Sequence, residues 1–175
     1  MYNIKCFIMQ KRRIVITGIG PVTPVGTGND YFWKNLIAGK SGISKVKDFE
    51  SPEWQQIDIN IAGEVKDFLL DKHFTDPKLL KSMNKDMDRV TQFAVVAAKL
   101  AIDDSLIDFS KLNTERVSTF VGTGIGGIQT TCADQIALLN GGQKKSWGQK
   151  YNPSYAKCTF RIHWNSLGLK RQSKK

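Results

Sequence analysis

Cysteine, histidine and long apolar runs are scarce in this sequence, and each scarcity closes off a class of protein. Cys6, Cys132 and Cys158 are odd in number and far apart, so they neither frame a set of disulfides nor supply a Cys-x-x-Cys metal pair. His73 and His163 are the only histidines, too few beside those cysteines for a structural zinc site. No metal and no cofactor is expected. No apolar stretch approaches the roughly 18–20 residues that span a bilayer, and the opening segment, Met1 to Met9, is too weakly apolar for a secretory signal. These absences predict a cytoplasmic protein with no membrane partner. Acidic residues are missing from one end. From Gln143 to Lys175 there are nine Lys or Arg and no Asp or Glu, leaving seventeen basic and sixteen acidic residues in 1–142. The formal net charge of +10 therefore belongs to the tail, and the rest carries a near-neutral surface.

What is present suits one domain. The chain has 175 residues, 41% of them hydrophobic, enough to bury a core. Residues 12–18, Arg-Arg-Ile-Val-Ile-Thr-Gly, read as a buried strand. Residues 18–26 are dense in glycine and proline and predict a tight loop. A helix is predicted over 30–38, with Asn29 or Asp30 as N-cap and Gly39 as its stop. Residues 40–85 read mostly as loop, with a strand at Ile59–Val65 and a polar, Lys-rich stretch at 78–86. Val90, Phe93, Ala94, Ala97, Ala98 and Ala101 then fall on one helical face, and the alanines predict close packing against a partner surface. Val117–Val121 reads as a second strand, Gly122–Gly127 as a glycine-rich turn, and residues 128–139 as a helix. Strand, glycine-rich turn and helix thus occur twice, an α/β pattern that predicts a largely parallel sheet.

Gly122, Gly124 and Gly127 satisfy G-x-G-x-x-G. Such glycines can bring backbone N–H groups and a helix N-terminus against a phosphate. A dinucleotide site also wants an acidic residue about 20 positions on, at the end of the next strand, whereas Asp134 falls inside the predicted helix. The alternative is a packed turn that needs positive φ or close backbone approach. Gly18 and Gly20 have no third partner at that spacing, and structure alone accounts for them.

Several segments together narrow the reading. Residues 11–20, Lys-Arg-Arg-Ile-Val-Ile-Thr-Gly-Ile-Gly, continue to Thr23-Pro24-Val25-Gly26. Residues 32–43 run Phe-Trp-Lys-Asn-Leu-Ile-Ala-Gly-Lys-Ser-Gly-Ile. Then come Ile61-Ala62-Gly63-Glu64-Val65, Met87-Asp88-Arg89, Thr91-Gln92-Phe93-Ala94, Gly122–Gly127 and Asn140-Gly141-Gly142. In this order and spacing they resemble the amino-terminal part of the elongating β-ketoacyl-[acyl carrier protein] synthases, from about Lys11 to Lys145. The resemblance implies an α/β, thiolase-like fold of which this chain supplies most of the first half. It also implies a homodimer that accepts an acyl group from acyl carrier protein onto a cysteine, then condenses it with malonyl-carrier protein after decarboxylation.

Further implications attach to single residues. Ile125 matches a residue that gates the acyl-chain pocket. Lys81, Lys85, Lys144 and Lys145 match basic positions that meet the acidic carrier protein. Asp88 and Arg89 are expected to order the start of the long helix. The family's nucleophile lies in a Thr-Ala-Cys-x-Ser-Gly elbow beyond the Asn-Gly-Gly motif, and the sequence contains no such elbow. Neither Cys132 nor Cys158 has the surroundings of a reactive thiol, and His73 and His163 do not match the family's catalytic pair. No catalytic residue is therefore assigned, and the chain alone is expected not to condense. Three regions are expected: an extension at 1–10, the synthase domain at 11–145, and an aberrant basic tail at 146–175. The abrupt composition of that tail is what a frame error or an interrupted copy would leave. Taken at face value, its Lys, Arg, Trp and Tyr residues suit nucleic-acid binding, a weaker alternative than a solvated end.

Overall fold

The computed structural model describes residues 13–46 and 60–140. In chain order the elements are β1 (Val22–Thr23), β2 (Gly26–Thr27), α1 (Asn29–Ile37), β3 (Ile43–Lys45), β4 (Ile61–Gly63), α2 (Pro77–Asp86), α3 (Arg89–Ser105) and α4 (Ile128–Leu139). Short 3₁₀ turns lie at Leu70–Lys72, Phe109–Lys111 and Thr114–Arg116.

The core forms where α2 and α3 meet the 3₁₀ turn at Leu70. Leu70, Phe74, Met83, Val95 and Val96 make one buried cluster, with Phe68, Leu79, Leu80, Met87, Ala98, Leu100 and Val121 packed around it. α2 replaces the loop expected at 78–86. Asp76 caps it by accepting from the Lys78 N–H at 2.9 Å, and Pro77 occupies the first turn, where a missing N–H costs nothing. Leu79, Leu80 and Met83 put its apolar side on the core while Lys78, Lys81 and Lys85 stay exposed. The lysine count hid an amphipathic helix.

α3 is the element the rest of the chain leans on. Its alanine stripe is half-buried, and its deepest positions are Thr91, Val95 and Val96 on an adjoining side. The predicted close approach is present. A Cβ added to Gly20 would stand 2.0 Å from the Ala97 carbonyl oxygen, and one added to Gly18 would stand 2.3 Å from that of Ala101. Only glycine lets residues 18–20 lie this close, and the Ile19 N–H donates to Asp104 Oδ2 at 2.9 Å from the same position.

α1 begins one residue earlier than predicted, with Gly28 rather than Asn29 or Asp30 as N-cap at φ 84°. Gly39, at φ 65°, follows its end as expected. Asn35 is buried and donates to the Val25 carbonyl at 2.8 Å, fixing α1 against the β1–β2 hairpin. The strand read near Ile59–Val65 is β4, and β3, which was not foreseen, pairs with it antiparallel in the register Ile43↔Gly63, Ser44↔Ala62, Lys45↔Ile61.

The predicted parallel sheet is the main departure. Among the described residues the only sheets are two antiparallel pairs, β1–β2 and β3–β4. Residues 13–20 and 117–121 carry no strand pairing. Ile14 and Phe120 are each 92% exposed and Ile16 is 85% exposed, the reverse of the buried strands expected. A parallel strand draws its hydrogen bonds and its cover from neighbours remote in sequence. Among the described residues no strand lies alongside these segments.

Candidate functional site

The candidate site is built around the corner between α2 and α3 and the glycine-rich turn before α4. Gly127, in the left-handed region at φ 69°, sets the start of α4. Gly122 and Gly124 have ordinary φ, and an added Cβ would meet nothing within 4 Å at either. Their absence of side chains is not used by the described residues, so the packed-turn account applies to Gly127 alone. Ile125 stands 74% exposed on this turn.

Asp88 links this turn to α3. It is the N-cap residue of α3, and its backbone carbonyl accepts from the N–H groups of Thr91 and Gln92 at 2.9 and 3.0 Å. Its side chain does not cap that helix. Instead Asp88 Oδ2 accepts from Thr130 Oγ1 at 2.7 Å, across 42 positions of sequence. The carboxylate therefore sits by the first turns of two helices, where their positive ends favour a negative charge. Arg89, beside it, donates to the Val65 carbonyl at 3.0 Å. Its guanidinium carbon lies 4.9 Å from the ring centre of Phe93 and 5.4 Å from that of Phe68. Those rings meet edge-on at 4.7 Å, so cation–π and aromatic contacts join the stretch after β4 to α3. Sequence reading placed Asp88 and Arg89 at the start of the helix, but their reach to Thr130, Val65 and Phe68 is tertiary and no local signal carries it.

Lys81 and Lys85 are exposed one turn apart on α2, in line with exposed Lys78. That stripe extends beyond the two predicted positions. Lys144, Lys145, Cys158 and His163 lie outside the described residues. Cys132 is a free, exposed thiol on α4. His73 is half-buried, its ring centre 6.4 Å from that of Phe68. Burial first, then the charges of Lys99 and Lys72, hold its pKa below the usual histidine value, with Asp103 pulling the other way. Among the described residues no three His, Cys, Asp or Glu side chains gather as a metal site, and no helix is long and apolar enough to cross a membrane.

Residues 11–165 match the sequence profile of the β-ketoacyl synthase N-terminal domain. The chain belongs to the β-ketoacyl synthase family. The match reaches into the basic stretch after residue 145 as well as covering the segments described above. Curated relatives are synthases of this family. The 3-oxoacyl-[acyl-carrier-protein] synthase 2 of Coxiella burnetii (strain RSA 493 / Nine Mile phase I) is 39% identical over 140 residues, covering 78% of this chain and 31% of that protein. The protein of the same name from Staphylococcus aureus (strain COL) is 32% identical over 136 residues, with the same coverage of each. The chain thus spans about a third of the length of the curated relatives it matches. Its fold is that of a ketosynthase. The ishigamide ketosynthase/chain length factor superposes with a TM-score of 0.62 at 26% identity, over 89% of this chain and 37% of that one.

Proposed function

We propose that this chain serves a fatty-acid-elongating 3-oxoacyl-[acyl carrier protein] synthase as its amino-terminal part, in a cytoplasmic, homodimeric enzyme. In that reading Ile125 borders the acyl chain. Lys81 and Lys85, with Lys144 and Lys145, receive the acidic carrier protein through charge complementarity. The cysteine that carries the acyl group and the histidines that stabilise the carbanion belong to the remainder of the fold, so residues 11–145 do not condense substrates alone. The chemistry needs a thiolate at a helix N-terminus and donors aimed at the developing oxyanion, and the corner around Asp88 offers neither.

The observation that carries this reading is the apolar flank. Ile14, Ile16 and Phe120 are exposed in two segments whose sequences are those of buried strands, which fits a domain made to be covered by further strands of the same fold. A chimera tests it. Residues 11–140 of this chain replace the matched residues of the Coxiella burnetii synthase, and condensation of acyl- with malonyl-carrier protein is followed. The expected result is condensation by the chimera and none by the 175-residue chain. A correctly folded, dimeric chimera without activity, or turnover by the chain alone, overturns the proposal.

A further inference from the structure

The contact between Asp88 and Thr130 does more than hold two helices together, because of what each residue is attached to. On one side, α2 ends at Asp86 and only Met87 separates it from Asp88. Met87 is extended, held by its N–H to the Met83 carbonyl at 3.1 Å and by Gln92 Nε2 to its own carbonyl at 3.2 Å. A tilt of α2 is thus passed to Asp88 through one residue bonded at both ends. On the other side, Thr130 lies in the first turn of α4, three residues after Gly127 and five after Ile125. Among the described residues the turn before it is lightly packed, since a Cβ added to Gly122 or Gly124 would meet nothing within 4 Å and Ile125 is largely exposed. A 2.7 Å hydrogen bond to a carboxylate is strong enough to set the position of so lightly packed a segment.

The face of α2 that faces solvent is the row Lys78, Lys81 and Lys85. Three cations on one helical stripe, with the opposite side in the core, fit an acidic protein surface and act on α2 as a lever. We infer that Asp88 and Thr130 form a latch that couples occupancy of the α2 lysine row by an acidic carrier protein to the position of the turn bearing Ile125. Thr130 is a positioning residue in this device, acting through Asp88. The inference rests on the proposed carrier-protein docking for its partner, and on the two bonded ends of the Met87–Asp88 corner for its path.

Amide hydrogen exchange on the full chain tests it, with and without acyl carrier protein, in the wild type and in Thr130→Val, Thr130→Ser and Asp88→Ala. In the free protein, Thr130→Val is expected to speed exchange in residues 123–131 by about fivefold, the scale of one lost hydrogen bond. Thr130→Ser, which keeps the hydroxyl, restores it, while α3 exchange stays unchanged in both as a check on folding. Addition of carrier protein is expected to change exchange in α2 and in residues 123–131 of the wild type and Thr130→Ser, but in α2 alone in Thr130→Val and Asp88→Ala. Carrier protein that alters α2 and leaves the wild-type turn unchanged, or alters the turn equally in Thr130→Val, overturns the latch while the docking reading stands. Carrier protein that leaves α2 unchanged overturns the docking reading and the coupling together.

Discussion

Two regions of this chain are equally apolar in sequence and opposite in structure. Around Met83, Val95 and Val96 the apolar side chains are fully buried. In residues 14–16 and at Phe120 they face solvent. The difference lies in where the cover comes from. α2 and α3 are consecutive helices whose faces meet through short-range chain geometry, and the Leu70 turn closes over them. The flanking segments are extended, and an extended segment draws its hydrogen bonds and its cover from parts of a fold remote in sequence. Among the described residues a helical nucleus thus forms, and no larger sheet flanks it. An exposed apolar patch of this kind marks an unfilled interface or an aggregation hazard.

Substitutions can break or sharpen this contrast. The largest effect is expected in the nucleus. Met83→Ala should cost about 3 kcal/mol by leaving a cavity between α2 and α3, measured as a shift of the urea midpoint, whereas Phe120→Ser should leave the midpoint unchanged and raise solubility. Equal losses from the two would remove the distinction. Next comes Gly20→Ala, expected to cost about 2 kcal/mol because the new Cβ collides with the Ala97 carbonyl. The cost is bounded, since residues 13–20 can detach from α3 with loss of the Ile19–Asp104 bond. Gly122→Ala, with open space around it, should stay within about 0.5 kcal/mol of wild type.

A smaller change, of the opposite sign, is expected at the end of α3. Leu106 is left-handed at φ 53° and 89% exposed, a conformation that suits glycine. Leu106→Gly should raise stability by about 0.5–1 kcal/mol, read as an increase in Tm. The gentlest test uses pH. Burial and the charges of Lys99 and Lys72 lower the His73 pKa from its ordinary 6.5, so the unfolded chain takes up the proton first as pH falls. Stability is therefore full above about 6.5 and declines as pH drops from there towards the folded-state value. His73→Gln should flatten this slope in denaturation curves between pH 7 and 5.

How far the sequence could be read follows the same division between local and remote. α4 was legible to the residue, and α1 and its Gly39 stop nearly so, because periodicity and stop signals are local. The Gly18–Gly20 approach to the alanines of α3 was legible as small residues on both sides. α2 was missed although Asp76-Pro77 and the spacing of Leu79, Leu80, Met83 and Met87 announce it, since its lysines dominated the reading. β3 is three residues long with no apolar alternation, and its pairing with β4 depends on partners sixteen to twenty residues away. At the site, Ile125, Lys81 and Lys85 were found through resemblance rather than through chemistry of their own. Thr130 was not found, because a threonine in the first turn of a helix looks the same whether or not a carboxylate 42 residues upstream reaches it.

Amide hydrogen exchange along the isolated chain tests the central contrast most directly. Slow exchange at the buried centre of α3, residues 92–100, beside near-free exchange in residues 14–18 and 118–125, is the predicted result. Equal protection of both regions would mean that the chain covers its own flank, and would contradict the account of a nucleus awaiting the rest of a synthase.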